Sequence, residues 1–105
     1  MGDYYIMIEE AVGCFAYSLA GHDKGHIYLI IKEEKEYVYL SDGKIRTINN
    51  PKKKNKKHIQ VNKKYKENIA SITNENKEIA DETIRKAIKT YLAGNADFQC
   101  YEGGY

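Results

Sequence analysis

The period of the apolar residues changes once along this chain, and that change limits the folds open to it. From Val12 to Val61, hydrophobic residues come in short runs broken by glycine or by charge, the pattern of short β-strands. Further on, Ile84, Ala87, Ile88, Tyr91 and Leu92 recur at helical spacing. A small sheet followed by one packed helix satisfies both halves, and 105 residues leave no room for a second core.

Five strands are expected over residues 12–18, 26–32, 37–41, 44–48 and 58–61. In the first, Phe15 and Tyr17 share a side. Gly21 and Gly25 flank Asp23-Lys24 and mark a tight loop whose backbone needs positive φ. Glu33, Glu34, Lys35 and Glu36 form a polar turn, and the next strand sets Val38 and Leu40 against Tyr37 and Tyr39. Asp42-Gly43 predicts a two-residue type I′ hairpin returning along 44–48, with Ile45 and Thr47 opposite Arg46 and Ile48. Asn49-Asn50-Pro51 ends that strand, and 52–57 is expected to be a polar loop.

The expected fold is therefore mostly β: a small SH3-like barrel of about five strands followed by a C-terminal α-helix. Closure would remove the edges that invite aggregation. The barrel with its basic segment spans 9–66, a helical extension packing on it spans 67–93, and 94–105 is expected to be a flexible tail. Within the extension, 81–92 is a helix started by Asp81 or Asn74 and stopped by Gly94, with Arg85 and Lys89 on another face. Residues 63–76 fit either a further helix or an irregular crossing.

Charge is unevenly placed. Residues 43–66 hold ten basic groups and no acidic one: Lys44, Arg46, Lys52, Lys53, Lys54, Lys56, Lys57, Lys63, Lys64 and Lys66. Seven basic groups face all 15 acidic ones in the remainder, so a net charge of +2 conceals a strong dipole. Ile, Lys, Asn and Tyr make up 46 of the 105 residues, so lysine placement says more than lysine number. A solvated loop is the plain reading of such a run. A polyanion is the functional one, because docked lysines release counterions from phosphates. Pro51 stiffens the start of the run, and Tyr37, Tyr39 and Tyr65 are candidate stacking partners for unpaired bases.

Other chemistries find little support. Cys14 and Cys100 lie far apart without a closely spaced partner, the pattern of free structural thiols. Cys14, His22 and His26 lack the paired spacing of a zinc site, so neither metal nor cofactor is expected. There is no nucleophile elbow and no phosphate loop, and the carboxylates sit in solvated stretches, so the chain does not read as an enzyme. The apolar run 27–31 is far short of a membrane span, and no secretory leader is evident, so a cytoplasmic monomer without a membrane partner is expected.

The stretch from Gly13 to Val61 also resembles the KOW-domain RNA-binding proteins of Gram-positive bacteria, themselves similar to the eukaryotic-type large-subunit ribosomal proteins six, fourteen and twenty-seven. The resemblance rests on Val12-Gly13, on Ala20-Gly21-His22-Asp23-Lys24-Gly25 with the apolar strand after it, and on Tyr37-Val38-Tyr39-Leu40. It continues through Asp42-Gly43-Lys44-Ile45-Arg46 and the segment from Asn50-Pro51 to His58-Ile59-Gln60, with 81–88 similar to the family's following helix. It implies binding of RNA, with ribosomal RNA as the target, and of neighbouring ribosomal proteins, in translation. The residues implied are His22, Lys24, Gly25, His26, Lys44, Arg46, Lys52, Lys53, Lys54, Lys56, Lys57, His58, Lys63 and Lys64. Gly25 matches the family's glycine, where a side chain would obstruct the turn or an approaching phosphate. His22 and His26 stand where the family carries Arg or Lys, which removes fixed charge from the loop. A protein–protein adaptor built on the same barrel is the alternative.

Overall fold

Residues 10–94 are described by the computed structural model. The elements in chain order are β1 (Cys14–Ser18), β2 (Ile27–Glu33), β3 (Tyr37–Ser41), β4 (Lys52–Asn55), a 3-10 turn (Lys56–His58), β5 (Ile59–Lys66), α1 (Ile69–Thr73) and α2 (Lys77–Gly94). All strand pairs are antiparallel, and the five strands lie in the order β4-β3-β2-β1-β5. This arrangement is compatible with a small SH3-like barrel. Among the described residues no ladder joins β4 to β5, so the sheet is not closed.

Alternation over 14–17 and 27–30 gives the sheet two apolar faces. Phe15 and Tyr17 of β1 and Ile27 and Leu29 of β2 point to the helices, where Ile69, Ile72, Ala80, Ile84, Ile88 and Tyr91 cover them. Cys14, Ala16, Tyr28, Ile30, Val38, Leu40 and Ile59 fill the opposite side. The stripe of α2 docks through Tyr91, whose ring stacks on Phe15 at 4.1 Å between centroids, while Asn62 Nδ2 donates to its hydroxyl at 2.7 Å. Cys14 is a buried free thiol. Cys100 and the tail from Asn95 lie outside the described residues.

Several expectations change here. Asp42-Gly43 makes no type I′ hairpin: that turn needs positive φ at both positions, and only Gly43 has it, at +75°. Instead the Asp42 carboxylate accepts the amides of Lys44 (2.8 Å) and Arg46 (3.0 Å), folding 42–50 into a loop in place of the expected strand 44–48. The return strand is β4, made from the lysine run expected to be a loop. The last strand runs on to Lys66, and 69–73 is a short helix.

The helix α2 begins earlier than expected because Asn76 caps it, its Oδ1 accepting the amide of Ile79 at 2.9 Å. Neither expected cap does so: Asn74 closes α1, and Asp81 accepts the amide of Ile48 at 2.8 Å, pinning the 42–50 loop to α2. The helix runs through Gly94, which lacks the positive φ of a C′ glycine. No helix among the described residues is long and apolar enough to cross a membrane.

Candidate nucleic-acid interface

The register of β4 decides where its lysines go. Lys52 and Lys54 lie opposite Leu40 and Val38, whose side chains belong to the second core cluster, while Lys53 and Asn55 lie opposite Tyr39 and Tyr37 on the other, outer face. One consecutive run is thus divided between two surfaces.

The inward pair meets Asp23. Its Oδ1 accepts Lys54 Nζ at 2.7 Å and Ser18 Oγ at 2.8 Å, and its Oδ2 accepts Tyr28 Oη at 2.8 Å and Lys52 Nζ at 3.0 Å. Lys54 Nζ also donates to Ser18 Oγ and to the Ala20 carbonyl at 2.8 Å. Burial alone would raise the Asp23 carboxyl, but the bonds from Lys54, Lys52, Tyr28 and Ser18 outweigh it and hold the group far below the usual carboxylate range. Burial and this same carboxylate push the Tyr28 phenol up. The side chain of Lys54 is only 9% exposed, which removes it from any role on the surface.

Other expected contacts are also occupied. Lys56 Nζ pairs with Glu33 at 2.7 Å and Lys63 Nζ with Glu10 at 2.6 Å, while Lys66 Nζ donates to the Glu10 carbonyl at 3.0 Å. The hydrogen bond and charge of Lys63 lower the Glu10 carboxyl, and Glu10 in turn raises the Lys63 ammonium. Tyr65 stands edge-on to Tyr91 at 5.7 Å between centroids, and Lys64 lies 5.7 Å from the Tyr65 ring. The uninterrupted cationic ribbon expected from the sequence is therefore broken up by Asp23, Glu33 and Glu10. A structural role accounts for much of its density: β4 and β5 are the two open edges, and lysines on an edge oppose pairing with another chain.

The loop residues gather elsewhere. His26 Nε2 lies 2.9 Å from Asp42 Oδ2, and both line a cleft with Gly25, Lys44 and the α2 residues Arg85 and Lys89. Burial would raise the Asp42 carboxyl, but the Lys44 amide, His26 and the Arg46 amide hold it down. Gly25 has φ +87°, and a Cβ built there meets nothing within 4 Å, so the turn requires its backbone freedom and leaves open space around it. His22, Lys24, Lys57 and His58 are exposed, and Arg46 is half-buried behind Asp42. Asp23, Arg85 and Lys89 were not expected at a site. The spacing of Arg85 and Lys89, four apart on one helical face, was the available signal for the latter two.

On the outer face of β3 and β4, Tyr37, Tyr39 and Lys53 form a plate that no helix among the described residues fills with its buried side chains. Lys53 Nζ sits 4.5 Å from the centroid of Tyr37 and 5.9 Å from that of Tyr39. A register shift in β2 between Ile30 and Lys32 brings Lys32 opposite Tyr39, with its Nζ 5.2 Å from the same ring. Tyr37 is 38% exposed and Tyr39 half-buried, its hydroxyl donating to Glu34 at 3.2 Å. Neither Lys32 nor Lys53 enters an ion pair among the described residues. No family model matches the chain, and no curated protein matches it.

Proposed function

We propose that this chain is an RNA-binding module that takes unpaired RNA across the outer face of β3 and β4. The observation that carries this reading is Lys53 beside two phenol rings, Tyr37 exposed and Tyr39 half-buried, with Lys32 flanking Tyr39 from β2. Aromatic faces stack bases whatever their identity, and adjacent ammonium groups meet the phosphates between them. The resemblance to KOW-domain proteins adds ribosomal RNA as the target and the large subunit as the place of action. Cosedimentation of the protein with large subunits in a sucrose gradient tests that addition separately.

Binding is measured by fluorescence anisotropy of a labelled single-stranded oligoribonucleotide. Tyr37→Ala or Tyr39→Ala is expected to weaken binding by roughly 5- to 150-fold, the effect of losing one stacked base. About two phosphate contacts, from Lys32 and Lys53, give a log–log salt slope near −1.4 for a single strand. If both tyrosine variants bind as tightly as the parent, the plate is not the interface. Preferential binding of a partner protein on this face, unaffected by RNA, would favour the adaptor reading instead.

A further inference from the structure

The cleft beside α2 is separate from the tyrosine plate and has a composition of its own. It encloses about 790 Å³ between the Gly25 loop, the 42–44 turn and one face of α2, within the size range of small-molecule sites. Its floor is apolar, formed by Tyr17, Ile27, Ile88 and Leu92. Its rim carries Lys44, Arg85 and Lys89. Among the described residues, none of these three cations enters an ion pair.

Two features organise that rim. The Arg85 Nη1 donates to the Gly43 carbonyl, which holds the guanidinium at the mouth with further N–H groups unspent. The single carboxylate of the cleft, Asp42, is turned to His26 and to the amides of Lys44 and Arg46, so its acceptors are occupied by the protein itself. A row of unpaired cations above an aliphatic floor matches an anion with an apolar body. Inorganic phosphate would leave Ile27, Ile88 and Leu92 unused, and a neutral hydrocarbon would leave the cations unused.

We propose that this cleft binds a small single-chain amphiphilic anion, its phosphate or carboxylate head held by Lys44, Arg85 and Lys89 and its aliphatic body laid over Ile27, Ile88 and Leu92. The site is independent of RNA binding, because it shares no residue with the plate of Tyr37, Tyr39, Lys32 and Lys53.

The test is a methyl-resolved NMR titration of the full chain with decyl phosphate kept below its micellar concentration, in parallel with inorganic phosphate and with adenosine monophosphate. Decyl phosphate is expected to shift the methyls of Ile27, Ile88 and Leu92 saturably and to bind at least tenfold more tightly than either other probe. Lys44→Ala with Lys89→Ala is expected to weaken it about tenfold with an unchanged far-ultraviolet spectrum, because both side chains are exposed. Tyr37→Ala is expected to leave it unchanged. The proposal is overturned if the cleft methyls do not respond. It is equally overturned if the double variant binds as well as the parent, the mark of unspecific detergent adsorption, or if the nucleotide or free phosphate binds as tightly.

Discussion

Asp23→Asn is expected to lower the unfolding free energy by about 3 kcal/mol, the scale of breaking a buried ion pair and leaving its partner uncompensated. Lys54 is the partner left behind, since its ammonium is almost wholly enclosed and reaches Asp23, Ser18 and the Ala20 carbonyl. For a domain of this size such a loss is a drop of roughly 15 °C in Tm. Asp23→Leu combined with Lys52→Met and Lys54→Met removes all three charges together and is expected to recover part of the loss. Denaturation midpoints that are the same in Asp23→Asn and the parent would remove the anchor assigned to Asp23.

The same carboxylate sets the response to acid. Its folded pKa is depressed, so below about pH 5 the unfolded chain, titrating near 3.9, takes up protons before the folded one. The stability it contributes is complete above that range and is lost as the pH falls toward the folded value. Asp42 acts with the same sign. In Asp23→Asn the fall in stability between about pH 5 and 3 should be visibly shallower than in the parent, a slope that urea titrations at successive pH values resolve.

Gly43→Ala is expected to cost about 3 kcal/mol, and Gly25→Ala only about 1 kcal/mol. Both glycines have positive φ, but a Cβ at Gly43 would lie 2.4 Å from the Asp81 carbonyl oxygen and 2.9 Å from Arg85 Cγ. Gly43 is where the 42–50 loop presses on α2, and the backbone of Asp81 cannot retreat without unwinding a helical turn. At Gly25 the penalty is backbone strain alone. Chemical denaturation of the two variants compares them directly, and equal losses would show that the close approach at Gly43 is relieved at little cost.

The buried role of Lys54 also changes how RNA binding has to be tested. Reversing the charge of Lys52, Lys53, Lys54, Lys56 and Lys57 together would place two carboxylates against Asp23 and a third against Glu33, so lost binding could follow from lost folding. Lys53→Glu and Lys57→Glu leave those pairs intact and are the informative changes.

Much of the fold was legible because it follows from local period. Alternation divides the strands around Phe15, Leu29 and Val38 between two faces, helical spacing gives α2 one stripe through Ile84, Ile88 and Tyr91, and these surfaces form the two clusters of the core. The Asp-Gly signal misled because the Asp42 side chain can close a different loop, which is anchored to α2 by Ile48 on Asp81 and by Arg85 on the Gly43 carbonyl. Closure of the barrel was likewise not decided locally, since it depends on whether two strands distant along the chain meet.

By itself the chain determined which residues alternate, where the period turns from strand to helix, and that cations crowd its middle. Tertiary structure alone decided what those cations do. A strand sends neighbouring side chains to opposite faces, so adjacent lysines came to rest in different surroundings: Lys54 against a carboxylate 31 residues upstream, Lys53 over two aromatic rings in water. Charge density is a property of sequence, whereas neutralisation depends on distance, and distance exists only once the chain has folded.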